Sequence, residues 1–352
     1  MQTNLIEMSF LSVFSFVTFF IFYITSKYSY KLNNGILLDK DFLKPQAFHH
    51  EAISRSGGIA SIISLFIFFG IHYLLYSKIL YEYIFICFSL FLIGYLDDIK
   101  IKISPYIRLV LMIFFLITCI IFLPIEIYNI DLIFLNLLLE NKIFSVIFIL
   151  LCFLFIVNGA NLIDGFNGLL TINLIIINCI LLFINLKNNH IEFSFLLIAQ
   201  IIILTSFFLF NFPKAKMFLG DSGSYLFGAM IALNIIISNN LNTNISAFFF
   251  CTLLFYIFFE VFFSFFRKLL QKKSHLLPDQ NHFHMLVYKY LKKNHPSPNN
   301  NSLTSLFLNI GYLILILPGI YFMDIPLFNR YWFFILMVIY LLLYLRLYKF
   351  VK

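Results

Sequence analysis

Runs of about 15 to 20 apolar residues, repeated along the whole chain, limit what this sequence can fold into. From Ile143 to Val157, and again from Leu169 to Leu186, polar side chains are few. A helix needs roughly 17–25 apolar residues to cross a bilayer. By that measure the chain reads as an all-α polytopic membrane protein of about eleven transmembrane helices. They fall near 5–25, 57–76, 79–96, 107–123, 142–157, 169–186, 191–210, 222–238, 246–266, 303–322 and 331–348. At 62% hydrophobic and 11% charged residues, a water-facing surface of this size is excluded. The segment 124–141 is apolar but interrupted by Pro124, Glu126, Asp131 and Glu140, and is expected to be interfacial.

The five cysteines, Cys87, Cys119, Cys152, Cys179 and Cys251, all lie in apolar runs without CxxC spacing. They read as small buried hydrophobes, not as a disulfide framework or a zinc site. A net charge of +8 in a water-soluble chain would suggest nucleic acid; here the distribution of charge carries the information. Twenty of the 24 Lys and Arg residues fall in alternate loops, leaving Lys78, Lys142, Lys187 and Arg330 for the others. Cytoplasmic loops hold such an excess. The N-terminus is therefore expected outside and the C-terminus in the cytoplasm. Residues 5–25 have no preceding basic residue and no small-residue cleavage site, so this first span is expected to be retained. The chain reads as a single multi-span domain, 1–352, with cytoplasmic loops 26–56, 97–106, 158–168, 211–221 and 267–302.

Polar islands interrupt the apolar pattern at 39–58, 94–108, 158–168, 211–224 and 267–295, all on the expected cytoplasmic side. Asn158-Gly-Ala-Asn161-Leu-Ile-Asp164-Gly-Phe-Asn167-Gly places three amides and a carboxylate between two apolar runs. Polar groups at membrane depth find partners or line a wet site. Asp97 and Asp98 end the third span; adjacent carboxylates repel unless a cation or basic groups offset them. Lys100, Lys102 and Arg108 follow, as a structural offset or as phosphate ligands. In Phe218-Leu-Gly-Asp221-Ser-Gly-Ser, Asp221 or Ser222 reads either as the N-cap of the eighth span or as a seat for an anion or its magnesium ion. His282-Phe-His284 lies in the longest basic loop. Arg55, with Gly57 and Gly58, opens the second span. Glu260 lies within the ninth span on the same helical face as Arg267, where an inward ion pair and a functional carboxylate are equally reasonable. The combination of hard oxygens with Lys and Arg suits magnesium and phosphates.

In this order, Asp-Asp, then Asn161-Leu-Ile-Asp164-Gly-Phe-Asn167-Gly, then Phe218-Leu-Gly-Asp221-Ser-Gly-Ser, then His282-Phe-His284, the chain resembles the polyprenyl-phosphate N-acetylhexosamine-1-phosphate transferases, glycosyltransferase family 4. The resemblance implies transfer of a HexNAc-1-phosphate from a UDP-N-acetylhexosamine, GlcNAc by default, to undecaprenyl phosphate in a bacterial inner membrane. UMP is released and a lipid-linked diphosphate sugar remains, the first membrane step of an envelope polysaccharide. It assigns Asp221 and Asn161 to Mg²⁺, with Mn²⁺ as the alternative, and Phe218 to stacking on uracil. Asp164 and Asn167 would line the nucleotide pocket. Asp97, with Asp98 beside it, would handle the acceptor phosphate. Lys100, Lys102, Arg108 and Arg55 would bind phosphates, with His282 and His284 near the diphosphate or sugar.

Three departures bear on specificity. The His-x-His loop points to aminosugar transferases, Asn167 stands where bacterial members commonly have aspartate, and no proline precedes Gly57. Phospho-MurNAc-pentapeptide transfer is the nearest alternative. A transporter for an anionic substrate is the rival from another class, and it predicts broken helices and charges near the bilayer midplane. No nucleic-acid partner is expected, and a homodimer is left open.

Overall fold

The computed structural model describes residues 2–29, 31, 35–39, 52–101, 103–271 and 280–352. Lys102, His49, His50 and Asp279 lie outside the described residues. In chain order the elements are α1 (Gln2–Tyr28), β1 (Leu38–Asp39), β2 (Ile53–Ser54), α2 (Gly57–Tyr76), α3 (Tyr81–Asp98), α4 (Pro105–Phe122) and α5 (Ile133–Leu139). There follow α6 (Lys142–Ile163), α7 (Leu169–Lys187), α8 (Ile191–Asn211), α9 (Gly220–Leu241), α10 (Ala247–Leu253) and α11 (Phe255–Leu270). The chain closes with α12 (Phe283–Asn294), α13 (Asn300–Tyr321) and α14 (Pro326–Val351).

Among the described residues nine helices are long and apolar enough to cross a membrane, and ten if the bent pair α10–α11 counts as one span. The third expected span is the difference. Its helix, α3, carries Glu82 in the first turn and Asp97 and Asp98 in the last. Its 18 residues still reach about 27 Å at 1.5 Å per residue, close to the hydrocarbon thickness.

The ninth expected span, 246–266, is not one continuous helix. It bends by 74° between α10 and α11. The Tyr312 hydroxyl of α13 donates to the Leu253 carbonyl at 2.6 Å, supplying a partner where the helical ladder breaks. The segment 124–141 holds only the seven-residue α5 and irregular chain, as its interruptions predict. Asp131 caps α10 from there, accepting from Ser246 Oγ at 2.8 Å and from Ala247 N at 2.6 Å.

The centre of the bundle is α9, buried continuously from Ser222 to Ile236 and packed on α3, α6 and α2. A helix buried on all sides requires its polar groups to be paired internally. Asn234 Nδ2 donates to Asn178 Oδ1 at 3.0 Å and to Gln200 Oε1 at 2.6 Å, while its Oδ1 accepts from Tyr83 at 2.6 Å. Four helices, α3, α7, α8 and α9, thus meet at one amide. Beside the Glu260 carboxylate, this network carries amides into the spans. Single Asn and Gln residues in apolar runs carried no sign of converging.

Candidate active site

At one end of the bundle α2, α3 and α9 meet almost backbone to backbone. A Cβ at Gly94 would run into the Asp221 carbonyl, and one at Gly58 into Ser222 Oγ and the Gly223 amide. This contact puts Asp98 under the start of α9. Its Oδ1 accepts from Asp221 N at 3.0 Å, and its Oδ2 from Ser222 N at 2.9 Å and Ser222 Oγ at 2.6 Å. The cap of α9 is therefore supplied by α3, not by Asp221 or Ser222, and a buried carboxylate orients the Gly-Asp turn.

The turn leaves Asp221 facing a cluster of charges. Arg108 Nη1, from the first turn of α4, stands 2.8 Å from Asp221 Oδ2 and 3.1 Å from Asp97 Oδ2. Two carboxylates share one guanidinium. Asn161, at the end of α6, donates through Nδ2 to Asp221 Oδ1 at 3.1 Å and to Ser224 Oγ at 2.9 Å. Arg55 follows β2, where Ile53 and Ser54 pair antiparallel with Asp39 and Leu38. Its Nη2 binds Asp39 Oδ2 at 2.7 Å, and its Nη1 stands 3.7 Å from Asp98 Oδ1. Asp164 caps the C-terminus of α6 and is half-buried by surface exposure. Burial first, then the like charges of Asp221 and Asp98, hold its carboxyl well above the usual carboxylate range, with Arg55 opposing.

Around this cluster the loops are stitched to one another. Phe218 is half-buried; its N–H donates to Ser54 O at 2.8 Å and its carbonyl accepts from Gly57 N at 3.0 Å. Asn167 Nδ2 donates to Pro213 O at 3.0 Å, and its backbone N–H to Asn301 Oδ1 at 2.8 Å. Asn211 accepts from Gly168 N at 2.7 Å and donates to Met217 O at 3.0 Å. Lys100 is exposed in a left-handed turn (φ 59°) after α3 and lies apart from these contacts. Lys102 falls outside the described residues.

His282 and His284 are buried, unlike the solvated loop pair that the sequence suggests. Their rings stack 5.4 Å apart at 5°, and His284 meets Phe166 edge-on at 5.5 Å, two residues from Asp164. Burial pushes His284 down to about 3, more than the Glu260 carboxylate raises it. Glu260 takes His282 and not Arg267 as its partner, with Nδ1 at 3.1 Å from Oε1.

The structure thus brings Asp97, Asp98, Arg55, Arg108, Asn161, Asp164 and Asp221 into one cluster, with the histidines packed against the same 158–168 island. Ser224, Asn211 and Tyr340 went unassigned from the sequence. Ser224 belongs to a visible Gly-Asp-Ser-Gly-Ser motif, whereas Tyr340 lies in an apolar run that gives no signal.

Residues 80–239, from just before α3 to the last turn of α9, match the family model described as glycosyl transferase family 4. The resemblance read from the motifs is borne out. The matched stretch contains Asp97, Asp98, Arg108, Asn161, Asp164, Asn167, Phe218 and Asp221; Arg55, Glu260, His282 and His284 lie outside it. Among curated relatives, the undecaprenyl-phosphate α-N-acetylglucosaminyl 1-phosphate transferase of Thermotoga maritima is 27% identical over 147 residues, 42% of this chain and 44% of the relative. The phospho-N-acetylmuramoyl-pentapeptide-transferase of Leuconostoc mesenteroides is 38% identical over 80 residues, 23% of this chain and 25% of the relative. That of Streptococcus thermophilus is 30% identical over 98 residues, 28% of this chain and 29% of the relative. The chain spans less than half the length of the curated relatives it matches. These relatives are phosphosugar transferases.

The donor set bears on a divalent cation. Among the described residues no three His, Cys, Asp or Glu side chains form a closed cage. Magnesium does not require one, because it keeps waters and substrate phosphates and takes one or two carboxylates. Among the described residues the cluster sets Asp39, Asp97, Asp98, Asp164 and Asp221 around the guanidiniums of Arg55 and Arg108. Asp221 is part-exposed and adjoins Asn161, whose amide offers an oxygen once turned. Burial, and then the neighbouring Asp221 charge, raise Asp97 to about 6 and Asp98 to about 7; a divalent cation at Asp221 would offset that repulsion, whereas a bare anion would add to it. A separate cavity of about 540 Å³ lies at the opposite ends of α2, α3, α8 and α9, lined by His72, Lys78, Glu82 and Glu192. It is remote from the cluster just described.

Proposed function

We propose that this protein transfers a HexNAc-1-phosphate from a UDP-aminosugar, GlcNAc by default, to undecaprenyl phosphate. The observation that carries the reading is the meeting of Asp97 and Asp221 on Arg108 beside Asn161, within the stretch similar to family 4. A phosphate oxygen of the acceptor lipid forms a bond to the β-phosphorus of the UDP-sugar. The bond from that phosphorus to the oxygen bridging the two phosphates breaks, and UMP leaves with the electron pair. The acceptor phosphate, with a second pKa of about 6, is largely ionised near neutrality and needs no strong base.

Asp97 therefore orients the acceptor through the Arg108 guanidinium more than it deprotonates it. Arg108 and Arg55 offset the charges of the phosphates, and positioning with charge neutralisation is most of what phosphoryl transfer demands. Asp98 holds the Gly-Asp turn so that Asp221 faces the substrate. Asp164, Asn167 and Phe218 receive the nucleotide. His282 and His284 face the diphosphate or sugar. Asp221 and Asn161 hold Mg²⁺, which when bound neutralises the diphosphate and polarises its phosphorus.

In this reading the site opens to the cytoplasm of a bacterial inner membrane. The N-terminus lies outside, and α3 with the bent α10–α11 pair brings the spans to eleven. The test is release of UMP from UDP-GlcNAc by membranes containing the protein. Release should require undecaprenyl phosphate and stop when EDTA removes the metal. No release with any UDP-aminosugar overturns the reading.

The 38% identity to a phospho-N-acetylmuramoyl-pentapeptide-transferase favours a second substrate, UDP-MurNAc-pentapeptide, which belongs in the same assay. An anionic-substrate transporter predicts broken helices, and α10–α11 is one. Its freed Leu253 carbonyl, however, is taken by Tyr312.

A further inference from the structure

Glu260 is almost fully buried, at 1% exposure, in the apolar α11. Three donors from outside its own helix converge on it. Oε1 stands 3.1 Å from His282 Nδ1 and accepts from Phe283 N at 3.0 Å, and Oε2 accepts from Tyr340 at 2.6 Å. The carboxylate thus caps the start of α12 and grips the imidazole that precedes it, while α14 closes the other side. A buried carboxylate is tolerated where its charge is paired and its lone pairs are filled.

Arg267, seven residues on, binds the preceding residue of the same loop. Its Nη1 donates to the Asn281 carbonyl and to Tyr344 Oη, the latter at 2.7 Å, and Tyr344 donates to the same carbonyl at 3.0 Å. Two turns of α11 and two tyrosines of α14 therefore clamp Asn281 and His282 from both sides.

We propose that Glu260 is a positioning residue that fixes the His282 ring with Nδ1–H toward α11 and Nε2 toward the substrate phosphates. The inference rests on the transferase reading for the identity of those phosphates. Among the described residues His282 Nε2 makes no hydrogen bond, and it is the ring nitrogen left for a substrate. The parallel stack on His284, itself held against Phe166, restrains the plane of the ring. A carboxylate on one imidazole nitrogen sets the tautomer and orientation of the other, as in metal sites and catalytic triads. Glu260 touches no substrate in this arrangement and acts only through His282.

The test uses the full chain in nanodiscs, labelled with ¹⁵N-histidine, with His282→Gln to assign the resonance. In the unaltered protein Nδ1 of His282 should be protonated, and in Glu260→Leu, which removes both acceptor oxygens, that preference should be lost. In the same variant kcat should fall about ten- to hundred-fold, the range seen when outer-shell partners of a functional histidine are removed, with KM for the UDP-sugar changed less than about threefold. Retention of the Nδ1–H signature in Glu260→Leu overturns the proposal, whether or not kcat falls. So does an unchanged kcat. If Glu260→Leu does not fold, Tyr340→Phe decides on the same two readouts, with a smaller shift in the same direction expected. If the unaltered protein transfers no sugar phosphate, the transferase reading fails, and the resonance of His282 still tests the positioning.

Discussion

Two junctions in this molecule are built on the same plan. At α3–α9, Asp98 reaches from the end of one helix to the backbone N–H groups that start another; at α11–α12, Glu260 reaches from within α11 to the first N–H of α12. They differ in the charge that faces the carboxylate. Asp98 has Arg55 at 3.7 Å, a guanidinium that stays protonated at any working pH, whereas Glu260 has His282 at 3.1 Å. The first junction is a seat beneath Asp221 that faces a guanidinium, with burial and then the Asp221 charge raising Asp98 to about 7. The second is an arm that faces an imidazole. Asp131 caps α10 in the same manner outside both junctions, so a capping carboxylate alone does not mark a site.

The largest expected effect tests the seat directly. Asp221→Asn should lower transfer by on the order of 10²–10³-fold, as for the loss of one preorganised electrostatic group, with little change in thermal unfolding. Asp98→Ala should instead act on folding. It orphans the buried N–H groups of Asp221 and Ser222, at roughly 1–3 kcal/mol each, and a shift in unfolding midpoint will report it. Lost activity with unaltered stability would break the comparison, because Asp98 would then belong with the chemistry and not with the cap.

Proton linkage should separate the two junctions by sign. The folded state raises Asp164 above its ordinary value of 3.8, so it binds that proton more tightly than the unfolded chain does. Stability at the seat therefore falls as pH rises above about 3.8, and Asp164→Asn should flatten that limb. His284 is depressed from 6.5 to about 3, so the unfolded chain binds the proton first. That contribution is complete above 6.5 and is lost as pH falls toward about 3, and His284→Gln should flatten the acid limb. Denaturation followed across pH in both variants measures the two slopes, and equal signs would refute the distinction.

Gly94→Ala should cost about 1–3 kcal/mol of stability, the usual penalty for an inserted methyl in a packed contact, and should lower transfer in step as α3 is displaced from Asp221. The smallest effect is expected at Lys100. Exposed and apart from the cluster, Lys100→Ala should change stability by no more than about 0.5 kcal/mol.

Much of the seat was legible in the sequence. Asp97, Asn161, Asp164 and Asp221 stand out as charges and amides against apolar runs, and basic loops place them on one side. Which of the two adjacent carboxylates becomes a buried cap was not legible. Asp97 and Asp98 are adjacent, and only the approach of α9, permitted by Gly58 and Gly94, turns one into a cap. The arm was harder to read. Its partners lie at 260, 282 and 340, on three elements far apart in the chain, and Tyr340 resembles any interfacial tyrosine in an apolar helix. The amide network around Asn234 was hidden for the same reason. Apolar periodicity finds helices, but it does not say which faces meet.

The bend at Leu253 has a consequence for how the protein is made. The hydroxyl that takes its carbonyl belongs to Tyr312, 59 residues further along the chain. During synthesis the segment that becomes α10 and α11 is complete before α13 has emerged, so that donor is not yet present. The carbonyl freed at the bend is thus satisfied only after α13 has been made, so the break between α10 and α11 acquires its partner late in biogenesis.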